Sequence, residues 1–172
     1  MNGGGKLAKC KIVGLSKYTE QLNQLEADAH PIIRQCIFEG AAIMADAIKD
    51  AIDTIPTRSN KIYGSTTNML NGLTGKQKAG LKMSFGILPM SDRNNQQSVK
   101  LGFDGYNDVE TDQYPQGQPN QLIARAIESG TYFLQPCHFM SKAINANKSA
   151  VEERMSQVCD EELAKRTNGG IL

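Results

Sequence analysis

The sequence predicts an α+β fold, in which a long N-terminal helix and a C-terminal helix pack on a small antiparallel sheet. Three observations support this prediction. Apolar residues recur at helical spacing towards both ends of the chain, two short segments between them alternate like strands, and long polar stretches separate these elements. At 172 residues, 40% of them hydrophobic, the chain is long enough to bury one core. We therefore expect a single domain over residues 1–172.

The N-terminal helix is the clearest predicted element. Residues 1–8 are glycine-rich and expected to be flexible, Lys9 to Leu15 indicates a short strand, and Ser16 is a suitable helix N-cap. Because Pro31 lacks an amide hydrogen, we expect a kink or a restart of the helix there, and Pro56 ends it. Apolar or small residues recur between these points in steps of three and four: Leu22, Leu25, Ala29, Ile33, Cys36, Ile37, Gly40, Met44, Ile48, Ile52 and Ile55.

Part of this stripe is expected to form the core. We predict that Ile33, Ile37, Met44 and Ile48 face the strands and the last helix, because they lie in the middle of the regular run.

The middle of the chain alternates polar stretches with short apolar segments. Residues 57–80, 89–98 and 104–120 are predicted to be long polar loops. The segments 81–88 and 99–103 alternate well enough to form two antiparallel strands. For residues 121–128, periodicity leaves strand and short helix both open, and we favour helix or a mixture.

The last helix is predicted to follow Pro136. Glu161 with Lys165, and Glu162 with Arg166, stand four residues apart and are expected to pair. Residues 168–172 are expected to be flexible. One face of the helix is marked by Met140, Ile144, Val151, Met155, Val158 and Leu163.

Composition and charge exclude several kinds of partner. The formal net charge of +1 provides no field that would concentrate DNA, so nucleic acid is not a favoured partner. No stretch has the roughly 18 uninterrupted apolar residues of a membrane span, and the start of the chain lacks a secretory pattern, so we expect no membrane partner. Cys10, Cys36, Cys137 and Cys159 are far apart, which favours packing over metal or redox chemistry.

Catalytic and metal-binding motifs are weak in this sequence. His30, before Pro31, fits a capping or solvated role, and the adjacent Cys137 and His138 seldom face each other in a catalytic geometry. Residues 72–76 (GLTGK) fail to match a phosphate loop, and residues 104–112 lack the ligand spacing of a calcium loop. We therefore predict no catalytic residue, no metal site and no cofactor.

The polar loops are the predicted interaction surfaces. Loops of this length bury too little apolar surface to offset their conformational entropy, so a partner surface is expected to order them. Lys76, Lys78 and Lys82 form a basic cluster, for which edge protection and solubility are favoured over contact with an acidic partner or nucleic acid. The residues assigned to partner contacts are Ser65, Asn68, Lys76, Lys78, Asp104, Tyr106 and Tyr114.

Five segments stand in an order and spacing typical of one protein family. They are VGLSKYTEQLNQL (13–25), EGAAIMADAIKDAIDTIP (39–56), LKMSFGI (81–87), VKLGFDGYN (99–107) and IESGTYFLQPCHFMSKAI (127–144). Over about residues 12–160 the chain resembles the tail-component family of long-tailed bacteriophages, the HK ninety-seven gene-product-ten-like group.

The last segment is the most specific part of the resemblance. Residues 128–131 (ESGT) followed by Gln135 and Pro136 are similar to the family's E-x-G-T…Q-P run, although residues 137–140 (CHFM) replace the usual Ala, any residue, Pro and Phe. Gly130 would permit a sharp turn, Pro136 would fix the entry angle of the last helix, and Phe139 would attach that helix to the sheet. The motif residues are Glu128, Ser129, Gly130, Thr131, Gln135, Pro136 and Phe139.

The resemblance implies a structural, non-enzymatic virion protein. It implies a tail-completion or neck component that self-associates into a ring at the head-proximal end of the tail. Its partners would be the connector or stopper, the tail terminator and the tail tube. The protein would be found in the virion, and in the host cytoplasm during assembly, with DNA only passing through its channel. Tail termination and head–tail joining remain alternative roles, and a DNA-binding neck factor is a further one. A small enzyme or regulatory binding domain using Cys137 and His138 is the alternative of another class.

Overall fold

The computed structural model describes residues 15–59, 67–93 and 96–168, with side chains from Ala29 to Arg166 within these ranges. In chain order the elements are α1 (Leu15–Thr54), β1 (Thr57–Arg58), β2 (Leu73–Thr74), α2 (Gly75–Ser84), β3 (Phe85–Ile87), β4 (Ser91–Arg93), β5 (Gln96–Ser98), β6 (Leu101–Phe103), α3 (Asn120–Ser129) and α4 (Phe139–Asn168). Two long helices beside small antiparallel sheets confirm the predicted α+β class. The predictions for residues 1–14 and 169–172 lie outside the described residues, and Leu15 begins a helix.

The strands form three separate pairs in the described residues. β3 and β6 are antiparallel, with Phe85 opposite Phe103 and Ile87 opposite Leu101, which confirms the predicted pairing of these two segments. The first of them is shorter than predicted, because residues 81–84 complete α2. β4 and β5 form an antiparallel hairpin inside residues 89–98, where we predicted only a loop.

Residues 57–80 are not one long loop. β1 pairs in parallel with β2, and α2 begins directly after it. The Thr74 hydroxyl accepts a hydrogen bond from the Gln77 amide at 3.3 Å, and the Gln77 side-chain oxygen accepts one from the Thr74 amide at 3.2 Å. This reciprocal cap satisfies two amides at the start of α2. Leu73 and Leu81 are both buried in the core. Residues 60–66, which include Ser65, lie outside the described part of the chain.

α1 continues through Pro31 as one helix of 40 residues. The predicted restart is therefore wrong. Proline at this position removes one intrahelical hydrogen bond, and packing of the following turns of α1 offsets that loss. Ile32, directly after the proline, is buried against Val158 of α4. Thr54 is the last residue of the helix, two residues before Pro56, as predicted.

The buried face of α1 differs from the predicted one in its N-terminal half. Ile48 is 1% exposed, as predicted, and Met44 and Ile37 are half-buried, but Ile33 is 46% exposed. Its neighbour Ile32 is buried instead. The buried apolar residues of α1 are Ile32, Cys36, Ala41, Ala45, Ile48 and Ile52, and Ile55, directly after the helix, is buried as well.

α1 and α4 are antiparallel partners. Cys36, in the N-terminal half of α1, packs beside Val158 in the C-terminal half of α4. Ile48, in the C-terminal half of α1, shares the main core with Phe139 at the start of α4. Gly40 lies at the closest approach. A Cβ atom there would come within 2.6 Å of the Met155 Cγ, so glycine allows the two helices to meet.

Most of the residues predicted to form the apolar face of α4 are buried or half-buried. Val158 is buried, and Met140, Val151, Met155 and Leu163 are half-buried, but Ile144 is 40% exposed. The prediction for Ile144 is wrong.

One of the two predicted ion pairs of α4 forms. Arg166 contacts Glu162 at 2.8 Å, as predicted. Lys165 contacts Glu162 at 2.7 Å and not Glu161, whose carboxylate lies 3.9 Å from Arg154.

Candidate interaction surfaces

Glu128 joins the last turn of α3 to the first turn of α4. Its carboxylate accepts hydrogen bonds from the amides of Met140 at 2.9 Å and Ser141 at 3.0 Å, and from the Ser141 hydroxyl at 2.5 Å. The first amides of a helix have no acceptor within the helix itself. A side chain of α3 therefore caps the N-terminus of α4.

These contacts set the ionisation of Glu128. Partial burial alone would raise the pKa of Glu128, but hydrogen bonds from Ser141 and Met140, together with the charge of His138, bring it below the ordinary value. The positive end of the α4 dipole favours the same ionised form. Glu128 is therefore a carboxylate that serves the structure at neutral pH.

The turn after α3 depends on glycine. Gly130 has φ +77°, and a Cβ atom there would lie 2.9 Å from the Pro136 Cδ. Thr131 and Leu134 then exchange two backbone hydrogen bonds of 2.9 and 3.3 Å. The turn is tight because it folds back on the proline that precedes α4.

The same turn is attached to the rest of the domain on two sides. The Gln135 amide donates to the Leu70 carbonyl at 2.9 Å, and the Leu70 amide donates to the Phe133 carbonyl at 2.7 Å. Phe139 is 2% exposed, and its ring centroid lies 6.5 Å from that of Phe103 in β6. The residues of the family-like motif thus form one joint between α3, α4 and β6.

Replacing Glu128 with Gln is expected to lower the free energy of unfolding at pH 7 by about 1 kcal/mol, the usual value of a helix cap. The folded-state pKa is depressed, so this stabilisation is present above the unfolded-state pKa of about 4.3 and is lost as the pH falls through the folded-state value. Denaturant unfolding of the wild type and of Glu128→Gln should therefore converge in acid. Glu152→Gln, in the exposed middle of α4, is the control and should change little. A constant difference between wild type and Glu128→Gln down to acid pH would contradict this role.

Two lysines of the predicted basic cluster hold the end of α1. The Lys78 Nζ donates to the carbonyls of Asp53 at 2.7 Å and Ile55 at 2.9 Å, and the Lys82 Nζ lies 2.5 Å from the Asp53 carboxylate. Cations stabilise the C-terminal end of a helix. The assignment of Lys78 to an interaction loop is therefore corrected: it lies in α2 and has a structural contact. Lys76 is also in α2, where its side chain is exposed.

The stretch between β6 and α3 contains no regular helix or strand in the structure, as predicted, but backbone contacts hold it. The Asp104 carbonyl accepts a hydrogen bond from the Asn120 side chain at 3.0 Å, and the Asp104 carboxylate accepts one from the Gly105 amide at 2.7 Å. Tyr106, at the first turn of this stretch, is 67% exposed. Asp104 is therefore engaged locally, and Tyr106 is available at the surface.

Tyr114 lies beside a small pocket. Its backbone exchanges two hydrogen bonds with Thr111, of 3.1 and 2.9 Å, and its side chain is half-buried. The pocket has a volume of about 280 Å³ and lies between this turn, α3 and the turn after α3. Leu122, Phe133 and Leu134 are among its apolar lining residues. Asn68 is exposed on the segment before β2.

A second, larger groove separates β6 from α3 and the start of α4. Its volume is about 420 Å³. Apolar side chains form much of its lining: Leu88, Leu101, Phe103, Ala124 and Met140. Lys100 and Arg125 are exposed on it, and Ser129 also lines it. We call this surface the basic groove. Sequence reasoning missed this groove, because periodicity left residues 121–128, which form most of α3, open between strand and helix.

Other large apolar side chains are exposed on the described surface. Met83 is 89% exposed, Tyr132 73% and Phe38 53%. Exposed apolar groups of this size, when several occur together, are typical of surfaces that contact other proteins.

The cysteines and histidines have structural surroundings. Cys36 is buried, and burial together with the adjacent Cys159 thiol raises the pKa of Cys36. Cys137 packs against the main core. His138 is exposed and has φ +53°. The His30 ring lies 2.8 Å from the Gln97 side chain of β5.

The described ranges contain no group of three or more His, Cys, Asp or Glu side chains that could hold a metal ion. Of the helices in residues 15–59, 67–93 and 96–168, none combines the length and apolarity that a membrane crossing requires. No family model, no curated protein and no solved structure matches the chain.

Proposed function

We propose that this protein is a structural component of a long-tailed bacteriophage virion. In this proposal it is a tail-completion or neck protein that joins its neighbours as part of a ring at the head-proximal end of the tail. Tail termination and head–tail joining are close variants of the same role.

The joint built by residues 128–139 is the observation that carries the proposal. In the sequence these residues are the most specific part of the resemblance to phage tail components. In the structure Glu128 caps α4, Gly130 makes the turn, and Phe139 enters the core. Each of the three residues thus has a structural use of the kind that the resemblance implies, and this agreement supports the proposal.

The surface supports a function based on contacts. The basic groove and the pocket beside Tyr114 are each lined by residues from elements that are far apart in the sequence. Exposed apolar side chains such as Met83 and Tyr132 add to them. Ring proteins need at least two different contact surfaces, because each subunit presents one to each neighbour.

Disruption of the gene in the phage genome that encodes it tests the proposal. We expect lysates with filled heads and separate tails, and restored virions when the wild-type protein is supplied from a plasmid. Electron microscopy counts the joined and separate particles. Intact virions in the lysate of the disrupted phage would overturn the proposal.

The same assay separates this function from the enzymatic alternative. The double variant Cys137→Ala, His138→Asn removes the thiol and the imidazole, and asparagine tolerates the left-handed backbone of residue 138. A contact protein predicts that the double variant restores virions as well as the wild type. Loss of complementation by a normally folded double variant would favour chemistry at Cys137 and His138.

A further inference from the structure

Cys36 of α1 and Cys159 of α4 meet where the two long helices pack together. Cys36 is buried, and Cys159 packs against it in the small cluster that also contains Ile32 and Val158. The Cys159 thiol lies close enough to raise the pKa of Cys36. Both residues are free cysteines. The fold therefore brings two thiols side by side, although they lie far apart in the sequence.

The packing of the helices aligns these two positions independently. A Cβ atom at Gly40 would come within 2.6 Å of the Met155 Cγ, so these residues are opposite each other where α1 and α4 approach closely. Because the helices are antiparallel, one turn back from Gly40 leads to Cys36, and one turn forward from Met155 leads to Cys159. A disulfide bond needs Cβ atoms that are close together. The two cysteines lie in the turn next to the close approach.

The two thiols differ in exposure. Cys36 is 6% exposed, and burial together with the neighbouring thiol raises the pKa of Cys36, which keeps it protonated at neutral pH. Cys159 is half-buried, so small solutes have access to it. Oxidation of a cysteine depends on its access to solvent and on the fraction of thiolate. Cys159 is therefore the sulfur that reacts first with an oxidant.

We propose that Cys36 and Cys159 form a modification site, at which a peroxide links α1 to α4 through a disulfide bond. The Cys159 thiolate attacks one oxygen of hydrogen peroxide, the O–O bond breaks, and a sulfenic acid forms. The hydroxide released takes up the proton that Cys159 has lost. The Cys36 sulfur then attacks the Cys159 sulfur, and the S–O bond breaks. Hydroxide leaves with the Cys36 proton, so two thiols and one peroxide give one disulfide and two waters.

The bond would close the end of the helix pair that the main core does not reach. The main core includes Ile48 and Phe139, whereas Ile32, Cys36 and Val158 are the buried members of the small cluster in the described residues. A region with few buried apolar contacts opens more readily than the rest of a domain. A disulfide there holds the helices together and restricts the unfolded chain. This inference goes beyond the proposed function and does not depend on it.

Peroxide oxidation of the full-length protein tests the site. The protein is purified with a thiol reductant, the reductant is removed, and hydrogen peroxide is added in slight molar excess. Mass spectrometry of the intact monomer should show the loss of two hydrogen atoms. Peptide mapping, after alkylation of the remaining thiols, should find Cys36 joined to Cys159. The thermal midpoint should rise by roughly 5–15 °C and return to its first value on reduction.

Three variants identify the reacting sulfur atoms. Cys159→Ser should show neither the mass loss nor the rise in thermal midpoint. Cys36→Ala leaves the sulfenic acid of Cys159 without a partner, so dimedone, which traps sulfenic acids, should label Cys159 more than in the wild type. Cys137→Ser is the matched control, because Cys137 is also half-buried but packs against the main core. It should form the bond like the wild type, and circular dichroism checks that each variant is folded.

Several outcomes would overturn the site. One is a wild-type protein that gains oxygen atoms at Cys159 while Cys36 still reacts with the alkylating reagent. Others are a bond that joins two chains, or one that uses Cys10 or Cys137 instead. A folded Cys159→Ser protein whose thermal midpoint rises on oxidation as much as that of the wild type would also contradict it. All these readouts use the purified protein, so the site and the proposed function can fail separately.

Discussion

Replacing Ile48 with aspartate is expected to prevent the protein from folding in soluble form. Ile48 is 1% exposed and belongs to the main core with Ile52, Leu81 and Phe139. The change removes an apolar side chain worth about 2–5 kcal/mol and buries a carboxylate without a partner, which adds a further penalty of several kcal/mol. Together these terms reach the whole stability of a typical domain, about 5–15 kcal/mol.

Ile33→Asp is the matched control for this prediction. The substitution is the same and lies in the same helix, but Ile33 is 46% exposed. We expect a soluble Ile33→Asp protein whose thermal midpoint is close to that of the wild type. Expression, solubility and circular dichroism melts of both variants measure the difference. A soluble, cooperatively melting Ile48→Asp protein would show that the buried face of α1 is assigned incorrectly.

Gly72→Ala is expected to destabilise the protein by about 3 kcal/mol or more, because backbone strain and a steric clash act together. Gly72 has φ +77°, and a Cβ atom there would lie 1.9 Å from the Pro56 carbonyl oxygen. That oxygen accepts the Leu73 amide at 2.9 Å. Relief of the clash requires the backbone to move, which breaks this hydrogen bond and separates β1 from β2.

Gly75→Ala serves as the comparison for Gly72→Ala. Gly75 is the first residue of α2, and a Cβ atom there meets nothing within 4 Å. Alanine should be neutral or slightly stabilising, because it restricts the unfolded chain and favours the helix. Denaturant unfolding gives both values. Equal stability of the two variants would contradict the close contact between residues 56 and 72.

Periodicity predicted the long helices, and it failed where the partner of a helix changes. The N-terminal half of α1 packs on α4 through Ile32 and Cys36, whereas the C-terminal half packs on the main core through Ile48 and Ile52. A prediction that used one regular apolar stripe for both halves therefore placed Ile33 in the core, although Ile33 is exposed. The direction from which a partner approaches is a tertiary property that residue spacing does not contain.

α2 was missed because apolar residues do not recur along it at helical spacing. It contains Gly75 and Gly80, which disfavour a helix, and its other residues are mostly polar. The signal that could have revealed it was the pair Thr74 and Gln77, three residues apart, which forms the cap. The basic groove had no comparable local signal, because residues from β6, α3 and α4 meet there only after folding.

The antiparallel pairing of α1 with α4 also sets the order of events during synthesis. Glu39 of α1 contacts Arg154 of α4 at 3.1 Å, across a separation of 115 residues. A ribosome adds about 5–20 residues per second, so the first helix waits roughly 6–23 s for its partner. During that interval α4 does not yet cover Ile32, Cys36 and Gly40 of α1, so this apolar face of the helix is exposed to solvent. The nascent chain thus exposes an apolar helix face until α4 has been made, and slower translation lengthens that exposure.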